Sequence, residues 1–137
     1  MSAQGQMTRR VVNITDIPQP IAYKSMAVVA GGVVYVSGQL GKGEDGKILP
    51  TIEEQGYQAM RQVEAILKAS GSDLDHILRM GIYVTDIRYL KVMSKIKREL
   101  IAQDPPASFG VEVTGLALGA MVELEVIAMV VPSGTQY

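Results

Sequence analysis

Short apolar or alternating runs bounded by turn residues recur along this chain, and in two stretches the apolar residues recur at helical spacing instead. That pattern predicts strands interrupted by two helices. A first short strand is expected over residues 9–14, then a turning or extended segment set by Pro18 and Pro20. Residues 25–30 and 33–37 are apolar runs joined by Gly31-Gly32, the signature of a β-hairpin. Residues 38–50 follow as a glycine-rich loop with its turn at Asp45-Gly46. The strongest helix signal covers 51–69: Thr51 and Glu54 have capping-box spacing, and Ala59, Met60, Val63, Ile66 and Leu67 form one apolar stripe. Gly71 supplies its stop. A strand over 77–85 puts Met80, Ile82 and Val84 on one face. Asp86 is placed to cap a second helix over 87–102, with Tyr89 or Leu90, Met93, Ile96 and Leu100 as its stripe and Asp104-Pro105-Pro106 as its end. Residues 107–113 and 122–131 read as the last two strands, giving β-β-β-α-β-α-β-β.

The last strand is the most informative. Val122, Leu124, Val126, Ala128 and Val130 share one wholly apolar face. Glu123, Glu125, Ile127 and Met129 share the other, with its two carboxylates roughly 7 Å apart. A strand buried on one side only is polar throughout its outer face. Something therefore covers Ile127 and Met129, and Glu125 sits at the rim of that cover, where acid–base chemistry is favoured. Two amphipathic helices cover one face of such a sheet. The other face keeps apolar residues without an intrachain cover, and self-association is the simplest solution.

At 137 residues the chain holds one domain, with residues 1–8 as a loose tail. Its 13 basic and 14 acidic residues give no electrostatic case for nucleic acid or an anionic membrane. It has no cysteine, which excludes thiol chemistry and disulfides. The N-terminus is polar and no apolar run reaches a membrane span, so a cytoplasmic protein is expected. His76 is the single histidine, and without a ligand-spaced partner it reads as a solvent-exposed loop residue; no metal and no cofactor are expected. Lys91, Lys95, Lys97 and Arg98 read as the solvated face of the second helix. Gly41-Lys42-Gly43 lacks phosphate-loop spacing.

Six short segments, in this order, make the chain resemble the reactive intermediate deaminase family, also called RidA, YjgF-like or L-PSP endoribonuclease. They are Pro20-Ile21-Ala22-Tyr23, residues 33–39, Val84-Thr85-Asp86, Pro106-Ala107, Val111-Glu112-Val113 and Glu125-Val126-Ile127-Ala128. The resemblance runs from about residue 12 to 131. It implies a mixed six-stranded sheet backed by two helices, similar to a chorismate-mutase-like chain. It also implies a homotrimer whose sheets line a central barrel, with a small-molecule metabolite bound in clefts between subunits. The activity it implies is hydrolysis of enamines and imines to a keto acid and ammonia.

Carried over by the resemblance, Glu125 matches the glutamate that positions the attacking water, and Tyr23 matches a tyrosine near the cleft mouth. Ser37 and Gly38 match the backbone-rich end of the third strand. Glu123 is left as a solvated or interface charge. The arginine that clamps a substrate carboxylate in deaminating members is Ser108 here, a cysteine of many members is Gly110, and an asparagine of some is Ser94. One serine donor does not replace a bidentate guanidinium. An enzyme acting on a carboxylate would need another cation, and Lys24, Arg79 and Arg88 are the candidates. Two readings follow: an imine or enamine hydrolase of altered substrate range, and a trimer that binds a metabolite without turning it over. A ribonuclease has the least support, for want of a basic patch, an aromatic platform and a histidine pair.

Overall fold

The computed structural model describes residues 8–132 and builds the expected α+β order into a six-stranded mixed sheet, with the two α-helices of the described residues packed on one face. The expected loose tail lies outside the described residues except for Thr8. The strands are β1 (Arg10–Val12), β2 (Ala27–Ala30), β3 (Val33–Leu40), β4 (Ile77–Val84), β5 (Ala107–Glu112) and β6 (Val122–Met129). The helices are α1 (Ile52–Ala69) and α2 (Tyr89–Leu100). The sheet order is β1-β2-β3-β6-β4-β5, and only β4 and β5, joined through α2, run parallel. No helix among the described residues is long and apolar enough to cross a membrane.

Local chemistry explains the elements. Gly31 and Gly32 have φ of +56° and +78°, the double positive-φ turn that matches strand twist in a two-residue hairpin. Thr51 accepts from the Glu54 N–H at 3.1 Å and donates its hydroxyl to the Glu54 carboxylate at 2.9 Å. At the other end of α1, Ser72 N–H donates to Leu67 O and Gly71 N–H to Lys68 O, which forms a Schellman motif around the positive φ of Gly71. Asp86 works one step earlier than expected: its carboxylate accepts from the Arg88 N–H at 2.9 Å and shapes the turn before α2, so the helix starts at Tyr89.

The helices bury the predicted stripes. Met60, Val63, Ile66 and Leu67 of α1 are fully buried, as are Met93 and Ile96 of α2 to within 1%. Each contributes about 1.5–3 kcal/mol by leaving water. On β6, Val122, Leu124, Val126 and Ala128 face these helices, and Glu123, Glu125, Ile127 and Met129 face away. The outward face is uncovered in the single chain. One row across it reads Val11, Val28, Tyr35, Ile127, Arg79, Ala107, each residue the cross-strand partner of the next.

Two glutamines of α1, Gln55 and Gln62, are buried although the apolar stripe did not announce them. Gln62 donates to Leu40 O at 2.7 Å and to the Gln39 side chain at 3.0 Å, and accepts from Lys42 N–H at 3.1 Å. Gln55 donates to Leu49 O at 2.9 Å and accepts from Met121 N–H at 2.8 Å. They pin the segments on either side of the recess described below. Gly41 lies so close to α1 that a Cβ there would stand 2.3 Å from Gln55 O and 2.5 Å from Gln55 Cα. Gly41→Ala is therefore expected to cost about 1–3 kcal/mol or more by overpacking against backbone. Urea unfolding measures this, and an unchanged midpoint would contradict the packing of this loop on α1.

Candidate functional site

Strand β3 is three residues longer than its apolar run, so Gly38, Gln39 and Leu40 belong to the sheet and not to the expected loop. Its pairing with β6 shifts between Val36 and Gln39, and this bulge takes Ser37 and Gly38 out of the β6 ladder. Ser37 is held toward β2, its hydroxyl donating to Ser25 O at 2.6 Å and its N–H to Met26 O at 2.9 Å. The Glu123 side chain lies across Gly38, where a Cβ would stand 2.3 Å from Oε2. A glycine is the residue that admits this approach. Gly38 and Glu123 line a recess together with Ser37, Lys24, Lys42 and Leu118. Lys24 Nζ donates to Gly38 O at 3.4 Å. The Glu123 carboxylate has neither a hydrogen-bond partner nor a cation within ion-pair distance among the described residues, so it is free to bind water.

Glu125 is elsewhere. Its carboxylate accepts from the Tyr83 hydroxyl on the outward sheet face, and that bond raises the tyrosine's pKa. Tyr83 meets Phe109 edge-on at 5.7 Å, and Arg79 stacks over the same ring at 5.0 Å. The recess therefore receives Glu123, the carboxylate that the sequence left without a role, and not Glu125. Tyr23 does not line it either: the ring is fully exposed in the single chain, while its neighbours Ile21, Ala22 and Lys24 form the wall. Exposed Ile21 and Leu118 make an apolar rim.

Ser108 lies on the helix side of the sheet, opposite to Glu125, because it pairs with Met80 in the parallel ladder. Its hydroxyl donates to Met80 O at 2.9 Å and accepts from Lys97 Nζ at 3.2 Å. Lys97 is thus half-buried against β5, whereas Lys91, Lys95 and Arg98 are exposed as expected. Burial lowers the Lys97 pKa. Of the three cations considered from sequence, Lys24 lines the recess. Arg79 is stacked on Phe109, and Arg88 is closed on Asp86 through contacts of 2.9 and 2.5 Å. That pair holds the Asp86 carboxyl down at about 2. His76 is half-buried rather than free in solvent, its Nδ1 2.6 Å from the Asp73 carboxylate in the turn before β4.

Residues 14–130 match the model of the family described as Endoribonuclease L-PSP. The chain belongs to that family. A RutC family protein of Aquifex aeolicus is 33% identical over 123 residues, 88% of this chain and 98% of the relative. A protein of Capra hircus named 2-iminobutanoate/2-iminopropanoate deaminase is 29% identical over 131 residues, 94% of this chain and 96% of the relative. The crystal structure of RidA from an Antarctic Psychrobacter superposes with a TM-score of 0.86 at 27% identity, covering 88% of this chain and 99% of that one.

Within the L-PSP family frame two of the three departures have local explanations. At Gly110, a Cβ would stand 2.5 Å from Leu90 Cδ2, so Leu90 of α2 fills the space that a larger residue would use. At Ser108, the position where the resemblance places a clamping arginine, a lysine from α2 arrives instead. The sequence alone does not bring Glu123 to Gly38, because a bulge breaks the two-residue count that relates β3 to β6. Nor does it single out Lys97, because i, i+4 spacing on a helix does not say which lysine the next strand attracts.

Proposed function

We propose that this protein hydrolyses imines or enamines of small 2-keto acids, as a homotrimer with its sites between subunits, and that Glu123 is the general base. The observation that carries this reading is the partner-free Glu123 carboxylate lying against Gly38, beneath two lysines and an exposed apolar rim. The family membership and the deaminase named among the relatives support the reaction class. Glu123 takes a proton from a water held beside Gly38 while the water oxygen bonds to the imine carbon. The C=N electron pair moves to nitrogen, which takes up that proton from Glu123. The carbinolamine then collapses: Glu123 withdraws the hydroxyl proton, the C=O bond forms, and the C–N bond breaks as ammonia leaves with that second proton returned from Glu123. Lys24 and Lys42 favour an anionic substrate at this mouth. Supporting the trimer, Ser108, a site residue by the resemblance, lies with Lys97 on the opposite face of the sheet from Glu123, so one chain alone does not bring them together.

The test is direct. A pyridoxal-phosphate dehydratase generates 2-aminoacrylate or its four-carbon homologue in situ, and keto-acid release is followed against the spontaneous rate. Acceleration at sub-stoichiometric protein supports the hydrolase. A protein that binds the keto acid but leaves the rate unchanged is a binder. Gly38→Ala supplies a second check. The new methyl displaces the Glu123 carboxylate while leaving the fold intact, because the atom it meets is the end of a flexible side chain. Turnover is expected to fall at least tenfold, roughly 1.4 kcal/mol, with an unchanged unfolding midpoint, and full activity would separate Gly38 from the chemistry.

A further inference from the structure

Lys97 is a cation in search of an anion. It emerges from α2 half-buried, donates to Ser108 Oγ at 3.2 Å, and has no carboxylate within ion-pair distance among the described residues. It lines a groove with Ser94, Arg98, Asp104 and Pro105. Ser108 completes a relay in which Lys97 donates to the hydroxyl and the hydroxyl donates to Met80 O. A serine with its proton fixed on a backbone carbonyl presents a lone pair to the ammonium and holds it in place. Two of the three ammonium protons remain for a ligand. A half-desolvated ammonium interacts with an anion more strongly than a surface lysine does.

We infer that Lys97, positioned by Ser108, is the carboxylate anchor of this protein and reaches the Glu123 recess of a neighbouring copy. This rests on the intersubunit reading of the site, since the Lys97 groove and the Glu123 recess share no lining residue within one chain. A lysine from the helix thereby does, as a point charge, what an arginine from β5 would do with a fork. It also explains why Ser108 is small: a long cation there would meet the Lys97 ammonium. Ser108→Arg alone is therefore expected to weaken carboxylate binding, and Ser108→Arg with Lys97→Met to restore it.

The pH dependence separates an anchor from a packing residue. Burial lowers the Lys97 pKa, so its charge is lost at lower pH than that of an exposed lysine. The other charged groups lining its groove are Arg98 of its own helix and Asp104 of the following loop, while β5 presents the uncharged Ser108. Carboxylate affinity should fall as pH rises through the Lys97 pKa. Lys97→Arg, which stays protonated, should hold affinity to higher pH.

The experiment titrates the protein with 2-oxobutanoate by calorimetry between neutral and alkaline pH. Wild type is expected to bind, Lys97→Met to bind about tenfold or more weakly, Lys97→Arg to bind with a flattened alkaline limb, and Lys91→Met, at an exposed lysine of the same helix, to change little. Equal affinity in wild type and Lys97→Met overturns the assignment, as does an equal loss on Lys91→Met, or a wild type that does not bind the keto acid. Binding that depends on Lys97 without any imine turnover would keep the anchor and remove the hydrolase reading.

Discussion

Glu123→Gln is expected to lower imine turnover by about 10²–10⁴, the usual worth of a positioned general base. The amide keeps the shape that lies against Gly38 and loses the ability to take a proton from water. Keto-acid affinity should change far less, because the anchor lies elsewhere. Glu125→Gln is the paired control. It disturbs the bond from Tyr83 on the outward face and leaves the recess untouched. It should therefore keep most of the wild-type turnover. The reverse order of effects, with Glu125→Gln inactive and Glu123→Gln active, would move the chemistry to the Tyr83 cluster.

Tyr35→Glu is expected to dissociate the assembly. Tyr35 is 49% exposed in the single chain, between Val28 and Ile127 on the uncovered face, so the monomer tolerates a carboxylate there. A trimer interface does not: an unpaired charge buried at each contact costs about 3–5 kcal/mol. Sedimentation at micromolar concentration should show about three chains per particle for the wild type, the closed ring that the resemblance implies, and single chains for the variant. Turnover should vanish with the trimer, because the proposed site draws on two copies. A variant that stays assembled, or a monomeric wild type with full activity, would remove this face from the interface.

Much of this was legible in the sequence, and the reasons are specific. The Gly31-Gly32 hairpin, the Thr51 cap and the stripe from Ala59 to Leu67 each rest on local rules that tertiary packing did not override. The alternation on β6 correctly separated Leu124 from Glu125. What escaped was relational. Gln39 and Leu40 extend β3 past the Gly38 bulge because β6 pairs with them, and no local signal in residues 38–40 announces that pairing. Gln55 and Gln62 are buried because two loops need donors and acceptors there. That Glu123 and not Glu125 lies against Gly38 depends on a bulge in a strand far away in sequence. The choice among four basic residues on α2 turned on the hydroxyl of Ser108, which reads as a lost function in the sequence and as a lysine's support in the structure.

The central claim is that one site is built from two copies, Glu123 from one and Lys97 from the next. Mixing tests it most directly. Glu123→Gln and Lys97→Met chains are each prepared, unfolded together in equal amounts and refolded as mixed trimers. Each parent alone should be nearly inactive. In the mixture, an interface formed by Glu123 of one variant and Lys97 of the other is intact, and random assembly makes about a quarter of the interfaces so. Recovery of about a quarter of wild-type turnover is the predicted result. Mixed trimers that form, as shown by mass, yet stay as inactive as their parents would contradict the shared site.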